Sequence, residues 1–241
     1  MWLDARQKYP KGLNAAVREN TLHGPVEVVE LCGQRYIGAG LEKGEVHMTG
    51  TPGNALGAYL CGGMLYVHGN AQDAVGDTMD GGCIAVDGMV GDAAGYAMRG
   101  GEIYVLGNAG YRAGVHMKEY GTRKPVLVIG GRAGSFLGEY QAGGMIVVLN
   151  LGTERETPAG RFCGMGMYGG KIYLRGTVQV PDISDRLVYR PASKQDMQQI
   201  YPALQKFCHL FNQAMQDILS VPFFVLEPNE ANPYRQLYTA L

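Results

Sequence analysis

Pairs of aliphatic residues recur along the middle of the chain, each pair two residues apart and framed by glycine. Residues two apart point to the same face of a β-strand. Each repeat therefore predicts a short strand of about five residues with one face directed inward. The first column contains Val46, Leu65, Ile84, Ile103, Val126, Ile146 and Ile172, and the second contains Met48, Val67, Val86, Val105, Val128, Val148 and Leu174.

The strands lie inside a repeated phrase, G-x-x-x-x-G-G-x-Φ-x-Φ-x-G, in which Φ is aliphatic. Of the 37 glycines in 241 residues, 34 lie between Gly38 and Gly176. A step of 19 residues is too short for a strand and a crossover helix, which together need about 30 residues. It is typical of one winding of a solenoid of strands. The opening glycines are Gly38, Gly57, Gly76, Gly95, Gly114, Gly138 and Gly164, so the step is 19 four times and then 24 and 26.

These patterns predict a mainly β fold, a right-handed single-stranded parallel β-helix of about seven coils. We assign residues 1–37 to an N-terminal cap, 38–180 to the β-helix and 181–241 to a C-terminal helical tail and extended wrap. Glycine is expected at corners with positive φ, so Gly81→Val or Gly100→Val should cost several kcal/mol through backbone strain. The residues expected to fill the interior beside the corners are Ala74, Ala94, Ala113 and Leu137.

The outward column of the strands changes character along the chain. In the early coils it is compatible with water, whereas later strands are apolar on both faces and need a cover. We favour the C-terminal tail over a partner subunit as that cover. The early outward residues are His47, Tyr66, Ala85 and Tyr104, and the later ones are Leu127 with Ile129 and Val147 with Leu149.

The two ends of the chain predict helices. Leu13, Ala16 and Val17 share one face of a short helix over 10–20, and Val26–Leu31 alternates as a strand. Near the C-terminus, Ser193 and Asp196 form a helix-start signal. An amphipathic helix follows through Ile200, Leu204, Phe207, Phe211, Ala214 and Ile218. We expect Pro202 to begin a second helix, residues 181–190 to be a linker or wrap, and Pro222, Pro228 and Pro233 to hold an extended end.

Composition excludes several classes of function. The 21 basic and 22 acidic residues give a net charge of −1, so no overall charge attracts nucleic acid or a membrane surface. No secretory signal and no apolar run of about 18 residues is present, and we expect a cytoplasmic protein. The five cysteines are odd in number and never spaced C-x-x-C, which favours buried, reduced thiols.

Several motifs suggest chemistry but have simpler explanations. Gly164–Gly169 matches the dinucleotide pattern G-x-G-x-x-G, yet a strand rather than a helix should follow it, and the repeat explains each glycine. The aspartates of early coils could suggest calcium, but their spacing does not repeat, so we interpret them as solvated surface carboxylates. They are Asp73, Asp77, Asp80, Asp87 and Asp92. The five histidines show no ligand spacing, and no metal or cofactor site is predicted.

The densest polar cluster follows the fifth opening glycine, where extra residues enlarge the coil. It could hold an anion or a partner's carboxylates, although an ordinary solvated loop is the interpretation we favour. No catalytic residue is identified. The cluster comprises Arg112, His116, Lys118, Glu119, Tyr120 and Arg123, followed by Lys124.

The glycine phrase resembles the GXGXG domain that closes the large subunit of glutamate synthase, in particular its stand-alone archaeal-type version. A related array occurs in one of the chains of formylmethanofuran dehydrogenase. The resemblance covers nearly the whole chain. The segments that carry it are 107–120, 130–140, 164–170, 207–212 and 233–238.

This resemblance implies a non-catalytic scaffold subunit of a glutamate synthase-type complex, which transfers the amide nitrogen of glutamine to 2-oxoglutarate. It implies no cofactor on this chain, with FMN and iron–sulfur centres on partner subunits. The expected partners are an amidotransferase and an FMN synthase chain, and self-association stays open. The alternatives are the equivalent subunit of a molybdenum or tungsten formylmethanofuran dehydrogenase-like complex, and an independent enzyme with a site in the coil-five cleft.

Overall fold

The computed structural model describes residues 1–7 and 9–229, which are mainly β with a few helices. The strands are β1 (Trp2–Asp4), β2 (Val26–Cys32), β3 (Glu45–Thr51), β4 (Met64–His68), β5 (Asp80–Val86), β6 (Gly100–Val105), β7 (Val126–Ile129), β8 (Ala142–Val148), β9 (Gly169–Arg175), β10 (Leu187–Pro191) and β11 (Phe223–Pro228). The helices are α1 (Pro10–Asn20), α2 (Lys194–Phe211) and α3 (Met215–Leu219), with a 3-10 turn at Ala5–Gln7. Within the described ranges, no helix has the length and apolar character needed to cross a bilayer.

The described strands form one open sheet in the order β1-β2-β3-β4-β5-β6-β7-β8-β9-β11-β10. Each strand from β1 to β8 pairs in parallel with the next strand of the sequence. From β3 to β6 the predicted columns are confirmed, with Val46, Leu65, Ile84 and Ile103 in register and fully buried.

One winding departs from the predicted alignment. Leu127 and Ile129, rather than Val126 and Val128, pair with the inward residues of β6 and lie in the inner core. The prediction was wrong by one residue for a local reason. Lys124-Pro125 replaces the glycine pair that marks the phase elsewhere, and both faces of β7 are apolar, so hydrophobicity could not reveal the error.

Two further sets of backbone hydrogen bonds connect successive repeats outside the sheet. The first is a row of isolated parallel bridges that joins Ala71, Val90, Ala109, Ala133 and Ala159. The second set lies at the turns, where the N–H of each later opening glycine donates to a backbone carbonyl of the preceding repeat. Gly57 N–H, for example, donates to Ile37 O at 2.8 Å. The residues directly before the opening glycines are buried there: Ile37, Leu56, Val75, Ala94, Ala113, Leu137 and Cys163. Ala74, predicted to fill this space, is only half-buried, and Val75 fills it instead.

The glycines have two different physical reasons. All the opening glycines lie at positive φ, between 64° and 71°, as predicted for corners. Gly81 and Gly100 do not, and the predicted cause at these positions was wrong. A Cβ at Gly81 would lie 2.1 Å from Cys61 O, and one at Gly100 would lie 2.3 Å from Asp80 O. Close approach of neighbouring windings therefore excludes a side chain at these two glycines.

Helix α2 covers the outer face of the sheet, as predicted for the tail. Its residues Ile200, Leu204 and Phe207 pack in a second buried cluster with the outward residues of β5 to β9. We call this group the outer cluster. Tyr104 and Ala85, expected to tolerate water, are both 0% exposed beneath this cover. The early outward column was misjudged because α2 extends further back over the sheet than the apolar pattern indicated.

Helix α1 closes the first winding. Its predicted span is confirmed, and Leu13 and Val17 join the inner core. The first opening glycine has no preceding winding to receive its N–H. Asn14 Oδ1 of α1 accepts that hydrogen bond from Gly38 at 2.9 Å. A side chain thus takes the place of the backbone carbonyl that accepts this hydrogen bond in later repeats.

The C-terminal segment corrects three expectations. The Ser193–Asp196 capping box is present at the start of α2, but Pro202 lies inside this helix rather than at the start of another. Buried residues continue beyond it, so packing offsets the roughly 3 kcal/mol penalty of an interior proline. The expected linker contains strand β10 and the expected wrap contains strand β11, which pairs antiparallel with both β9 and β10. Pro233 and the segment 233–238 lie outside the described residues.

Candidate functional site

The strongest irregularity of the repeat is residues 118–124, which we call the corner loop. In neighbouring repeats a glycine pair, such as Gly100-Gly101 at the start of β6, comes just before the inward aliphatic residues. Here Lys124-Pro125 takes that place, and backbone hydrogen bonds between Tyr120 and Arg123 close the loop. The loop therefore projects from the corner between the turns and the outer face of the sheet.

Arg112 and His116 precede the corner loop and lie on the turns. The Arg112 Nε donates to Glu139 Oε2 at 3.3 Å, and its guanidinium lies 4.9 Å from the Phe136 ring centroid. The His116 ring stacks on Tyr140 at 5.2 Å. These contacts form an exposed aromatic and charged surface, of the composition that protein interfaces favour.

Tyr120 and Arg123 turn back toward the earlier windings. Arg123 Nη1 donates to Asp80 Oδ2 at 2.6 Å, and its guanidinium lies 5.7 Å from the Tyr120 ring centroid. Both residues line a cavity of about 400 Å³ with Cys61. Burial and the Asp80 carboxylate raise the pKa of the Cys61 thiol, so its surroundings disfavour a nucleophilic thiolate.

Glu119 and Lys124 line a cavity of about 430 Å³ on the other side of the loop. Its remaining wall comes from the corners and strands of later windings and from α2. Lys118, which the sequence grouped with Glu119, does not line this cavity; its backbone N–H donates to Met98 O at 3.0 Å. The polar cluster is thus divided among three surfaces. The other lining residues are Gly144, Met145, Gly170, Lys171, Tyr173 and Gln199.

An ion network that the sequence did not reveal borders this cavity. Asp196 accepts from Lys171 Nζ and Arg190 Nη1, both at 2.7 Å, and Glu227 pairs with the same two cations. Hydrogen bonding from Arg190 holds the pKa of the Asp196 carboxyl well below its usual range. Asp196 was recognisable only as a helix cap, because its other partners lie on β9 and β10, and the sequence did not predict that β11 joins these two strands in the sheet.

The remaining candidate residues have structural roles. Asp92 Oδ1 accepts from the Tyr111 N–H at 2.8 Å, and Asp73 Oδ1 accepts from the Asp92 N–H at 2.9 Å. These carboxylates are exposed as expected, and they also tie successive windings together. The phrase Gly164–Gly169 is followed by β9, as the repeat required and a dinucleotide site would not.

The described part of the chain contains few features that would support metal binding or thiol chemistry. No group of three or more histidine, cysteine, aspartate or glutamate residues there could hold a metal ion. Cys83 and Cys163 are buried and Cys208 is half-buried, whereas Cys32 and Cys61 are exposed, so the expected burial holds only in part. Burial raises the pKa of Cys83 to about 11 and that of Cys163 to about 12.

Comparison with known proteins agrees with the glycine pattern. The profile of the GXGXG motif family matches residues 25–222. An uncharacterized protein of Methanocaldococcus jannaschii is 37% identical to this chain over 249 aligned residues. The alignment covers 98% of this chain and 95% of the relative. The family match spans the opening glycines, the corner loop, α2 and α3. The chain therefore belongs to the GXGXG motif family.

Proposed function

We propose that this protein is a non-catalytic scaffold subunit of a glutamate synthase-type complex. The observation that carries the proposal is family membership over residues 25–222, because GXGXG domains are found in glutamate synthase large subunits. The amidotransferase and the FMN and iron–sulfur chemistry would reside on separate partner chains, and no cofactor would bind this one. The relative from Methanocaldococcus jannaschii has nearly the same extent, which fits a stand-alone subunit.

The architecture proposed for this role is a right-handed parallel β-helix of about seven windings. Three observations support it: the steps of 19 residues, the in-register parallel sheet, and the two further sets of backbone hydrogen bonds along the alanines and the turns. Successive windings touch through backbone atoms at the corners, as the space around Gly81 and Gly100 indicates. Such a body resists bending and suits a spacer between catalytic chains.

The partner surface in this proposal is the exposed set of Arg112, His116 and Tyr140 on the turns, together with the corner loop. Arginine and tyrosine are enriched among residues that dominate binding energy at interfaces. Arg112 is held by Glu139 and by the Phe136 ring, so little side-chain freedom would be lost on binding. The same surface would receive carboxylates of a partner chain.

The test is native purification of the tagged full chain from its own cells, followed by mass spectrometry and an assay of glutamate formation from glutamine and 2-oxoglutarate. Co-purification of an amidotransferase and an FMN protein is expected. Arg112→Glu should reduce their recovery, whereas Arg35→Glu, an equally exposed control on the N-terminal segment, should not. Recovery of a molybdenum or tungsten enzyme instead would favour the formylmethanofuran dehydrogenase alternative, and turnover by the purified chain alone would favour an enzyme.

A further inference from the structure

The cavity between the corner loop and α2 has the dimensions of a small-molecule site. Its volume of about 430 Å³ falls within the range of roughly 300–1,000 Å³ found for ligand pockets. Two corner glycines, Gly144 and Gly170, leave its floor free of side chains, and Met145 and the Tyr173 ring provide apolar surface. A small organic molecule could therefore lie against the corner backbone with its apolar part on Met145.

Some of the charged side chains that line this cavity have ion-pair partners among the described residues, and others have none there. Lys171 is neutralised by Asp196 and Glu227, at 2.7 and 3.4 Å. Among residues 1–7 and 9–229, no anion lies within ion-pair distance of Lys124 and no cation lies within that distance of Glu119. The cavity thus contains one unpaired cation and one unpaired anion that do not pair with each other.

Hydrogen bonds orient the remaining polar groups. Glu119 Oε1 accepts from the Gly144 N–H at 3.0 Å, which fixes the carboxylate at the cavity wall. The Tyr173 hydroxyl donates to Gln199 Oε1 at 3.0 Å, so the Gln199 amide nitrogen keeps both donors for a ligand. Donors from Lys124 and Gln199 suit a carboxylate, and Glu119 suits an ammonium group.

We propose that this cavity binds a small zwitterion of the α-amino acid type. Lys124 and the Gln199 amide would bind the α-carboxylate, Glu119 would bind the α-ammonium group, and the side chain would lie along Met145 and the Tyr173 ring. A simple anion would leave Glu119 unpaired and repelled, and a simple amine would do the same to Lys124. The complementary ligand carries both charges.

Isothermal titration calorimetry on the full chain tests this with three matched probes. L-Leucine carries both charges, 4-methylpentanoate lacks only the amine, and 3-methylbutylamine lacks only the carboxylate. L-Leucine should bind about tenfold or more tightly than either analogue, because each lost charged hydrogen bond is worth at least that factor. L-Serine and L-phenylalanine extend the panel to polar and larger side chains.

Two neutralising variants complete the experiment. Lys124→Gln and Glu119→Gln should each weaken L-leucine binding about tenfold or more. Lys118→Gln is the matched control, with the same charge change on the same loop but outside the cavity, and should bind like the parent. Circular dichroism of each variant is the control for correct folding.

Equal binding of L-leucine and either analogue would overturn the zwitterion assignment. Unchanged binding by Lys124→Gln would overturn the site, as would a lack of binding by all three amino acids at about 10 mM, a concentration that detects dissociation constants in the millimolar range. These measurements use the isolated chain. Their failure is therefore distinct from failure of the scaffold proposal, which depends on co-purification of partners.

Discussion

Replacing Gly100 with alanine should destabilise the protein far more than the same change at Gly95, although Gly95 alone of the two has a positive φ. Gly95 has a φ of 71°, and a Cβ there would find its nearest atom at an ordinary 3.6 Å. A Cβ at Gly100 would lie 2.3 Å from Asp80 O and 3.1 Å from the Arg123 Cβ. The comparison therefore separates backbone conformation from the contact between windings.

The magnitudes follow from the two geometries. A left-handed conformation costs an L-residue roughly 1–2 kcal/mol, so Gly95→Ala should lose about that much stability. At Gly100 the carbonyl of the preceding winding must retreat by about 1 Å to reach an ordinary contact, which would disturb the sheet pairing of β5 with β6. Overpacking that forces backbone shifts typically costs about 1–3 kcal/mol, and we expect Gly100→Ala to lie near 3 kcal/mol because the displaced atom is a carbonyl of the sheet.

Thermal unfolding followed by circular dichroism measures the difference. For a chain of this length about 1 kcal/mol shifts Tm by roughly 2–4 °C. A loss of about 3 kcal/mol in Gly100→Ala should therefore lower Tm by about 6–12 °C. A loss of about 1–2 kcal/mol in Gly95→Ala should lower Tm by about 2–8 °C. We attribute the need for glycine at position 100 to the close approach of the preceding repeat and not to φ. Equal Tm shifts, or a larger shift for Gly95→Ala, would refute this explanation.

Three further predictions concern buried polar groups. Tyr104→Phe should raise stability by about 1 kcal/mol in urea unfolding because the buried Tyr104 hydroxyl has no hydrogen-bond partner among the described residues, whereas Tyr173→Phe, which loses the bond to Gln199, should not. Arg175→Met should cost about 2–4 kcal/mol, and Arg175→Lys should recover only part of it, because this 2% exposed guanidinium donates to three backbone carbonyls. Asp196 has a lowered pKa in the folded state, so its stabilising contribution is complete above the unfolded pKa of about 4 and is lost as pH falls below it. Acid unfolding of Asp196→Asn should accordingly show a weaker pH dependence below about pH 4 than the parent, and an unchanged profile would contradict the assigned network.

Local signals were sufficient to predict the repeated strands, the span of α1 and the start of α2, but not the end of α2. The strand pattern depends on neighbours two residues apart and the capping box on neighbours three residues apart, so each is readable in a short window. The one error in register fell on β7, where Lys124-Pro125 removes the glycine marker and every residue of the strand is buried. A pattern that is apolar on both faces carries no information about which face is inward.

Pairings between distant residues could not be predicted in this way. The burial of Tyr104 depends on α2, whose Lys206 pairs with Glu102 across more than a hundred residues of sequence. The antiparallel pairing of β10 with β11 likewise joins residues that lie on either side of α2 and α3 in the sequence. The candidate cavity shares this property, because the sequence identified Glu119 and Lys124 but gave no indication that Gln199 lies opposite them.

The departures from the repeat are concentrated in the later windings. The earlier windings each place leucine or methionine three residues after the opening glycine, as at Met79 and Met98, whereas the sixth places the buried amide Gln141 there. Gln141 Nε2 donates to Gly143 O and Gly144 O, next to the cavity floor. Regular repeats need only glycine and aliphatic residues at their inward and corner positions. The corner loop, the Gln141 amide and the cavity against α2 all break that pattern within neighbouring windings. Substitutions in the regular windings should therefore change stability alone, and substitutions around the corner loop should change binding at nearly constant stability.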